Sequence, residues 1–380
     1  MSCASKEPAP TVTELTIATF NVSMEADNYK ARNDPRDPNA LKKQLATGTH
    51  SQIKNVAAII QHVRPDILLL NEFDYITDPK EGVEAFIANY LNRGQHGQQA
   101  IDYPFYYVAE VNTGVPSPYD LNGDGIASGT GDDAWGYGNY PGQYGMVLLS
   151  KYPLDEAKIR SFRLFKWHQM PNANRVMNPD GTAFHTDETW QGMRLSSKSH
   201  WDVPVSVNGK TLHVLAAHPT PPVFDGPEDR NGARNYDEIR LWADYISATS
   251  NDYLVDDAGN TGGLPEQAAF VIMGDLNASP NEGDTRQGAI DQLLLHPAVN
   301  AEPTPISKGG AQHTSDNPNA ATHTSGFRLR VDYVLPSVKG LEVMSSGVFW
   351  PAEGDKMHFA VQERKTSSDH RLVWVKVALK

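Results

Sequence analysis

Phe270-Val271-Ile272-Met273-Gly274-Asp275-Leu276-Asn277-Ala278-Ser279-Pro280 is the stretch whose reading decides the fold. Ala269 to Met273 is apolar or small throughout, which reads as a buried strand. The run breaks at Gly274, a residue that tolerates a close backbone approach or an unusual dihedral. It then releases Asp275 and Asn277, two apart and able to point the same way if the chain stays extended. A carboxylate beside an amide at a strand end suits a water nucleophile and a phosphate oxygen. The same letters also fit a strand followed by an Asx turn that ends at Pro280. The rest of the chain decides between the two.

The pattern recurs along the chain. Leu15-Thr16-Ile17-Ala18-Thr19-Phe20 is a β-branched strand ending in Asn21. Residues 25–50 are polar, with Pro35 and Pro38, and read as a surface loop. Ile53 to Val63 has helical spacing and stops before Pro65. Ile67-Leu68-Leu69-Leu70 is wholly apolar, as in a sheet covered on both faces, and delivers Asn71-Glu72. The spacing predicts a helix over 83–91 and strands over 105–111 and 144–150. Trp201 to Val207 and Leu212 to Ala217 form a hairpin across Asn208-Gly209, ending on His218-Pro219-Thr220. Helices are predicted near 234–248 and 288–295, followed by a polar loop over 301–325. Arg330 to Leu335 is a strand carrying Asp332, and Leu341 to Val348 is another. Ser367-Ser368-Asp369-His370 enters the last strand, Leu372 to Leu379. With no internal repeat or clean boundary, residues 1–12 read as a tail and 13–380 as one domain.

Composition narrows the class. The 380 residues are 39% hydrophobic, enough for a sizeable core, while 30 Gly and 26 Pro imply many turns. A formal charge of −13 disfavours a protein that lives by non-specific attraction to phosphate backbones. The single cysteine, Cys3, excludes an intrachain disulfide. No apolar run is long enough for a transmembrane helix. The opening Met1-Ser2-Cys3 looks like the start of a mature lipoprotein, with Ser2-Cys3 ending a lipobox; it equally suits a chance cysteine in a tail. The first reading carries the expectation of a lipid anchor at Cys3 and a bacterial extracytoplasmic location: periplasm, outer membrane or secretion.

Asn21, Glu72, His218, Asp275, Asn277, Asp332, Asp369 and His370 all follow or lie within apolar strands. If the strands form packed sheets, such ends converge on one rim, where α/β sheets commonly bind ligands. Glu72 and Asp369 are hard oxygen ligands for Mg²⁺, Mn²⁺ or Ca²⁺. Asn21 and Asn277 can fix waters or phosphate oxygens without adding charge. The two histidines can donate to a phosphoryl oxygen or move a proton, and Asp332 could hold one of them charged. Each residue alone has an ordinary explanation as a strand cap or surface group; eight together are harder to explain that way. Zinc chemistry lacks paired His or Cys spacing. A serine hydrolase lacks Gly-x-Ser-x-Gly, and no P-loop is present.

Thr19-Phe20-Asn21, Leu70-Asn71-Glu72, Tyr144-Gly145, Ala217-His218-Pro219, Gly274-Asp275-Leu276-Asn277, Val331-Asp332-Tyr333 and Ser368-Asp369-His370 occur in this order. Together, over roughly residues 14–378, they resemble the motif set of the endonuclease/exonuclease/phosphatase superfamily. The resemblance implies a four-layer α/β sandwich with two central mixed β-sheets flanked by helices. It implies phosphate-ester hydrolysis by a metal-activated water, with Mg²⁺ or Mn²⁺, or Ca²⁺, as cofactor. It implies Glu72 as main metal ligand, helped by Asn21 and Asp369. Asp275 would orient or deprotonate the water, Asn277 and His218 bind phosphoryl oxygens, and Asp332 pair with His370, which stabilises developing charge. Tyr144 matches a tyrosine that touches the phosphate in some members.

Several features depart from the nuclease members. The loops at 120–143 and 160–200 and the insertion after Pro219-Thr220-Pro221-Pro222 are large. Arg194-Leu195-Ser196-Ser197-Lys198-Ser199-His200-Trp201-Asp202 looks special to a bacterial, secreted-type subgroup. Asp120, Asn122 and Asp124 with Gly125 match the first half of a calcium loop, but Gly131 stands where the closing Glu belongs. A structural Ca²⁺ and a plain acidic turn are both open there. Arg163, Lys166, Arg175, Arg194 and Lys198 with His168 and His200 could steer a phosphorylated substrate, or form a solvated loop. Trp167, Trp190 and Trp201 could stack on a substrate ring or anchor the loop in the core. Acidic charge and enlarged loops favour a phosphodiesterase or phosphatase acting on small organic phosphates. A secreted nuclease is the alternative, but the basic stripe a duplex needs is missing. No protein partner is evident.

Overall fold

A computed structural model describes residues 12–31, 33–249 and 251–380. Cys3, and with it the lipid-anchor expectation, lies outside the described residues.

Among the described residues, eleven strands form two sheets. They are β1 (Thr13–Met24), β2 (Ile67–Phe73), β3 (Phe105–Tyr107), β4 (Met146–Ser150), β5 (Arg160–Ser161), β6 (His200–Val207), β7 (Lys210–Ala217), β8 (Ala269–Asp275), β9 (Asp332–Pro336), β10 (Leu341–Val348) and β11 (Val373–Leu379). One sheet runs β10-β11-β1-β2-β4-β3 and the other β5-β6-β7-β8-β9. Each is mixed, with one parallel pair at its centre: β1 with β2, and β7 with β8. A parallel pair needs a crossover, usually a helix. Here the crossovers contain helices Ser51–Val63 and Arg230–Tyr245. The fold is thus two sheets face to face with helices outside, the four-layer α/β sandwich expected.

Burial explains why the central strands are largely apolar. Along β7, Leu212, Val214 and Ala216 enter the core between the sheets, with Trp201, Val203 and Val205 from β6. The alternate residues Leu215 and Ala217 face the outer core with Ile239, Leu241 and Trp242 of the helix. β8 divides the same way, Val271 and Met273 inward, Phe270 and Ile272 outward. A strand with two covered faces has few positions for a polar residue until it ends, so the polar groups of the rim collect at the ends. His213 in β7 is an exception, paired with Asp202 of β6 at 2.8 Å.

Local expectations needed correction in several places. Residues 25–50 are not simply loop: Ala26–Tyr29 is a 3₁₀ turn and Ala40–Thr47 an α-helix whose Leu41 and Leu45, four apart, are buried. The strand from Phe105 stops at Tyr107 on the sheet edge. The helix at 83–91 is an α-turn, Val83–Phe86, that widens to a π-turn at Ile87–Leu91. The helix near 288–295 is a single turn, Asp291–Leu294. The hairpin turn is as read, with Asn208 and Gly209 at φ 50° and 82°, the left-handed pair of a type I′ turn.

Candidate active site

Both parallel pairs end on the same rim. β1 and β2 deliver Asn21, Asn71 and Glu72; β7 and β8 deliver His218 and Asp275. The two sheets are tied there by side chains. Asn21 Nδ2 donates to Asp275 Oδ2 at 3.0 Å. Asn71 Oδ1 accepts from Thr19 Oγ1 and from the Asp275 backbone N–H, both at 3.2 Å.

Backbone strain marks the same rim. Glu72 (φ 55°), Tyr144 (57°), Asn277 (51°) and Ser23 (48°) are all left-handed without being glycine, at a cost of order 1 kcal/mol each. Gly274 has φ 149°, and a Cβ there would lie 1.9 Å from the Ala217 carbonyl oxygen. Glycine lets β8 press onto the end of β7, which brings Asp275 against His218.

Asp275 is the hub, 1% exposed. Its Oδ1 accepts the Asn277 N–H at 3.1 Å. Its Oδ2 faces Asn21 Nδ2, His218 Nε2 at 3.5 Å and His370 Nε2 at 3.7 Å. Burial, against the pull of His370, raises its carboxyl to about 7. Burial pushes the His370 imidazole down, but the Asp332 and Asp275 carboxylates outweigh it and raise His370 to about 10. Asp332 Oδ2 meets His370 Nδ1 at 3.0 Å and also accepts from Thr324 Oγ1 at 2.7 Å. Phe327 meets the His370 ring edge-on at 5.2 Å. Burial, then the Lys198 and His370 charges, hold His218 well below its ordinary value, so it is neutral. Asn277 Nδ2 donates to the Pro219 carbonyl at 3.1 Å.

The residues expected to hold metal lie on the β1–β2 side. Ser23 links two of them: its N–H donates to Asn21 Oδ1 at 3.2 Å and its hydroxyl to Asp369 Oδ1 at 3.0 Å. Burial raises Asp369, but His370, Arg364 at 3.4 Å and the Ser23 hydroxyl hold it below its ordinary value. Among the described residues the Glu72 carboxylate has no hydrogen-bond or ion-pair partner, although it is half-buried. Their own burial above all, with the Glu72 charge adding to it, pushes up the neighbouring Glu25 carboxyl and the Tyr144 phenol. A half-buried carboxylate without a donor, beside a second acid and an amide oxygen, fits a hard divalent cation.

Asp275, Asp332 and His370 form another candidate group, with one ligand atom of each within 4.8 Å of the others. Metal ligation requires a neutral imidazole, whereas this one is held protonated between two carboxylates. The group therefore reads first as an imidazolium held between two carboxylates, and it could take a cation only by releasing that proton.

Thr324, Asn71 and Ser23 orient the site, yet no sequence signal picked them out as site residues. Tyr144 stands on the rim, stacked on Tyr137 at 6.4 Å between ring centres. The 160–200 segment is mostly structural. Arg163 pairs with Glu110, Arg175 with Asp187, Lys166 donates to the Gly192 carbonyl, and Arg194 to Asn112. Trp167 and Trp201 are fully buried, so they anchor the core. Only Lys198 of those cations faces the site. Asp120, Asn122 and Asp124 lie apart, their oxygens accepting backbone N–H groups of Gly123, Gly125, Asp124 and Ile126. Beside Asp369 opens a cleft of about 950 Å³ walled by Trp350, Phe327, Arg364 and Arg371.

Comparison with known proteins gives the family. The family model described as Endonuclease/Exonuclease/phosphatase family matches residues 18–370, and the chain belongs to that family of phosphoester hydrolases. No curated protein matches it. Among solved structures it is similar to an endonuclease/exonuclease/phosphatase from Beutenbergia cavernae, at 17% identity and TM-score 0.50, over 96% of this chain and 72% of that one. It is also similar to the Staphylococcus aureus beta toxin with bound magnesium ions, at 14% identity and TM-score 0.46, over 97% and 100% of the two chains. Sphingomyelinase C from Streptomyces griseocarneus aligns at 15% identity and TM-score 0.45, over 97% and 100%. At such identities the likeness concerns the fold alone.

Proposed function

We propose that this member of the endonuclease/exonuclease/phosphatase family hydrolyses small organic phosphate esters by attack of water on phosphorus. The carrying observation is the buried Asp275 carboxylate, with the Nε2 atoms of His218 and His370 and the Asn21 amide turned to one of its oxygens within 3.0–3.7 Å. A carboxyl raised to about 7 is matched to accept a proton near neutral pH. A divalent cation on Glu72, with Asn21 and Asp369 beside it, would supply Lewis acidity toward a phosphoryl oxygen.

The residues then divide the work. Asp275 orients the attacking water and takes its proton. His370, kept protonated by Asp332, donates to the phosphoryl oxygen on which charge grows, a fixed donor in a dry site. Neutral His218 and the Asn277 amide hold further oxygens. The oxygen–phosphorus bond to the alcohol breaks opposite the water, and the alcohol leaves with a proton from solvent or the site. The adjoining cleft gives the alcohol portion room, its volume at the upper end of small-ligand sites.

The test is a panel of monoester, diester, triester, phospholipid and plasmid DNA against Mg²⁺, Mn²⁺ and Ca²⁺. Metal-dependent release from small esters supports the reading. Preference for DNA would transfer it to the nuclease alternative, and turnover indifferent to metal and to Asp275→Asn would end it.

A further inference from the structure

Lys198 sits just before β6, in a segment whose other cations are bound up in structural contacts. It is only 6% exposed. Its Nζ has one acceptor, the Pro219 carbonyl at 3.5 Å, and forms no ion pair among the described residues. An ammonium carries three donors, and burying it with one long hydrogen bond is unfavourable unless something else engages it. The Pro219 carbonyl also accepts from Asn277 Nδ2 at 3.1 Å. The ammonium and the amide therefore converge on one point, next to His218. The charged groups acting on Lys198 include Glu238, Asp275 and Glu72, so its ammonium lies within electrostatic reach of the carboxylates of the site.

We propose that Lys198 is a phosphoryl-binding residue: its ammonium, with Asn277 Nδ2 and His218, grips the non-bridging oxygens of the ester. This rests on the phosphoester-hydrolase reading above. It gives the site a second protein cation beside the His370 imidazolium; burial pulls the Lys198 ammonium below its ordinary value, and the Glu238, Asp275 and Glu72 charges act against that pull.

The competing role is structural. Glu238 is fully buried nearby, and Lys198 could balance its charge. Glu238 is, however, already served: Oε1 accepts the Ser197 N–H and Oε2 the Thr220 N–H, each at 2.6 Å.

The experiment compares wild type, Lys198→Met, Lys198→Arg and the double variant Lys198→Met/Glu238→Gln. Three quantities are measured: melting temperature, calorimetric binding of inorganic phosphate to metal-free protein, and kcat/KM on the best ester from the panel. Lys198→Met is expected to weaken phosphate binding and lower kcat/KM by roughly ten- to a hundredfold each, the loss of one charged hydrogen bond. Lys198→Arg should recover most of both. The double variant removes both buried charges but turns an amide NH₂ on one of the Ser197 and Thr220 N–H groups, so it should melt below wild type, still fold, and stay impaired; it decides the matter if Lys198→Met does not fold. Wild-type phosphate binding and turnover in either Met-bearing protein would overturn the proposal. Wild type that binds phosphate, loses that binding in Lys198→Met, but cleaves no ester would sink the hydrolase reading and leave the phosphate-binding role standing.

Discussion

Replacing Asp332 with asparagine isolates the charge that keeps His370 protonated. With His370 at about 10, about 99% of it carries the proton at pH 8. Asp332 is the largest of the attractions that outweigh burial. If its loss lets His370 fall to its ordinary 6.5, about 3% is protonated at pH 8, a roughly thirtyfold loss of the acid form, against less than twofold at pH 6. Asp332 also raises Asp275, so the base limb moves down as well. The whole bell-shaped kcat/KM profile should therefore translate to lower pH. Sterically the change is small: the asparagine oxygen can accept from both His370 Nδ1 and Thr324 Oγ1. Its NH₂ would replace Asp332 Oδ1, which is buried without a partner, at a cost of about 1–3 kcal/mol. The assay is kcat/KM from pH 5 to 10 at saturating metal, well below the melting temperature of the variant. An alkaline limb that stays put, or an equal loss at pH 6 and pH 8, would refute the assignment of His370 as a protonated donor.

Asp275→Asn should lower kcat/KM at least about a hundredfold at pH 8 with the fold intact by circular dichroism; near-wild-type turnover would count against the base. Chelation should abolish turnover and added Mg²⁺ or Mn²⁺ restore it, while in Glu72→Gln restoration should need far more metal; equal titration curves would move the metal elsewhere. The metal-free protein should lose stability between pH 5 and pH 10. His370, raised above its unfolded value, stabilises fully below about 6.5 and loses that as pH climbs through about 10. Asp275, raised from 3.8 to about 7, penalises the folded state increasingly over that lower range. Melting curves that are flat across this interval would contradict both. Gly274→Ala should cost about 3 kcal/mol or more, read from the urea midpoint, because its Cβ meets the Ala217 carbonyl; an unchanged midpoint would show that the strand ends can spread.

The sequence was most legible where a rule is local. β7 and β8 read correctly because two covered faces make the runs Val214–Ala217 and Ala269–Met273 wholly apolar up to the strand ends. The turn at Asn208-Gly209 read correctly because its two left-handed residues are adjacent. The helix at Ala40–Thr47 was missed because its buried face is just Ala40, Leu41 and Leu45, within a segment rich in Lys, Asn and Pro. The 160–200 cations looked like one class of residue; which were bound to carbonyls and carboxylates depended on partners such as Glu110 and Asn112, dozens of residues away.

By itself, then, the sequence determined the two-sheet framework, the family, and the set of polar residues released at strand ends, since periodicity and order are properties of a line. Tertiary structure decided what those residues are to one another. That Asn21 bonds Asp275, 254 positions on, follows from how two sheets stack, as does the choice of a single Asp275 oxygen as hub. The left-handed turn at Glu72 that leaves its carboxylate without a partner among the described residues, Thr324 bonded to Asp332, and Lys198 set beside the Pro219 carbonyl belong to the same level. These are set by packing between segments far apart in the chain, where local periodicity carries no information.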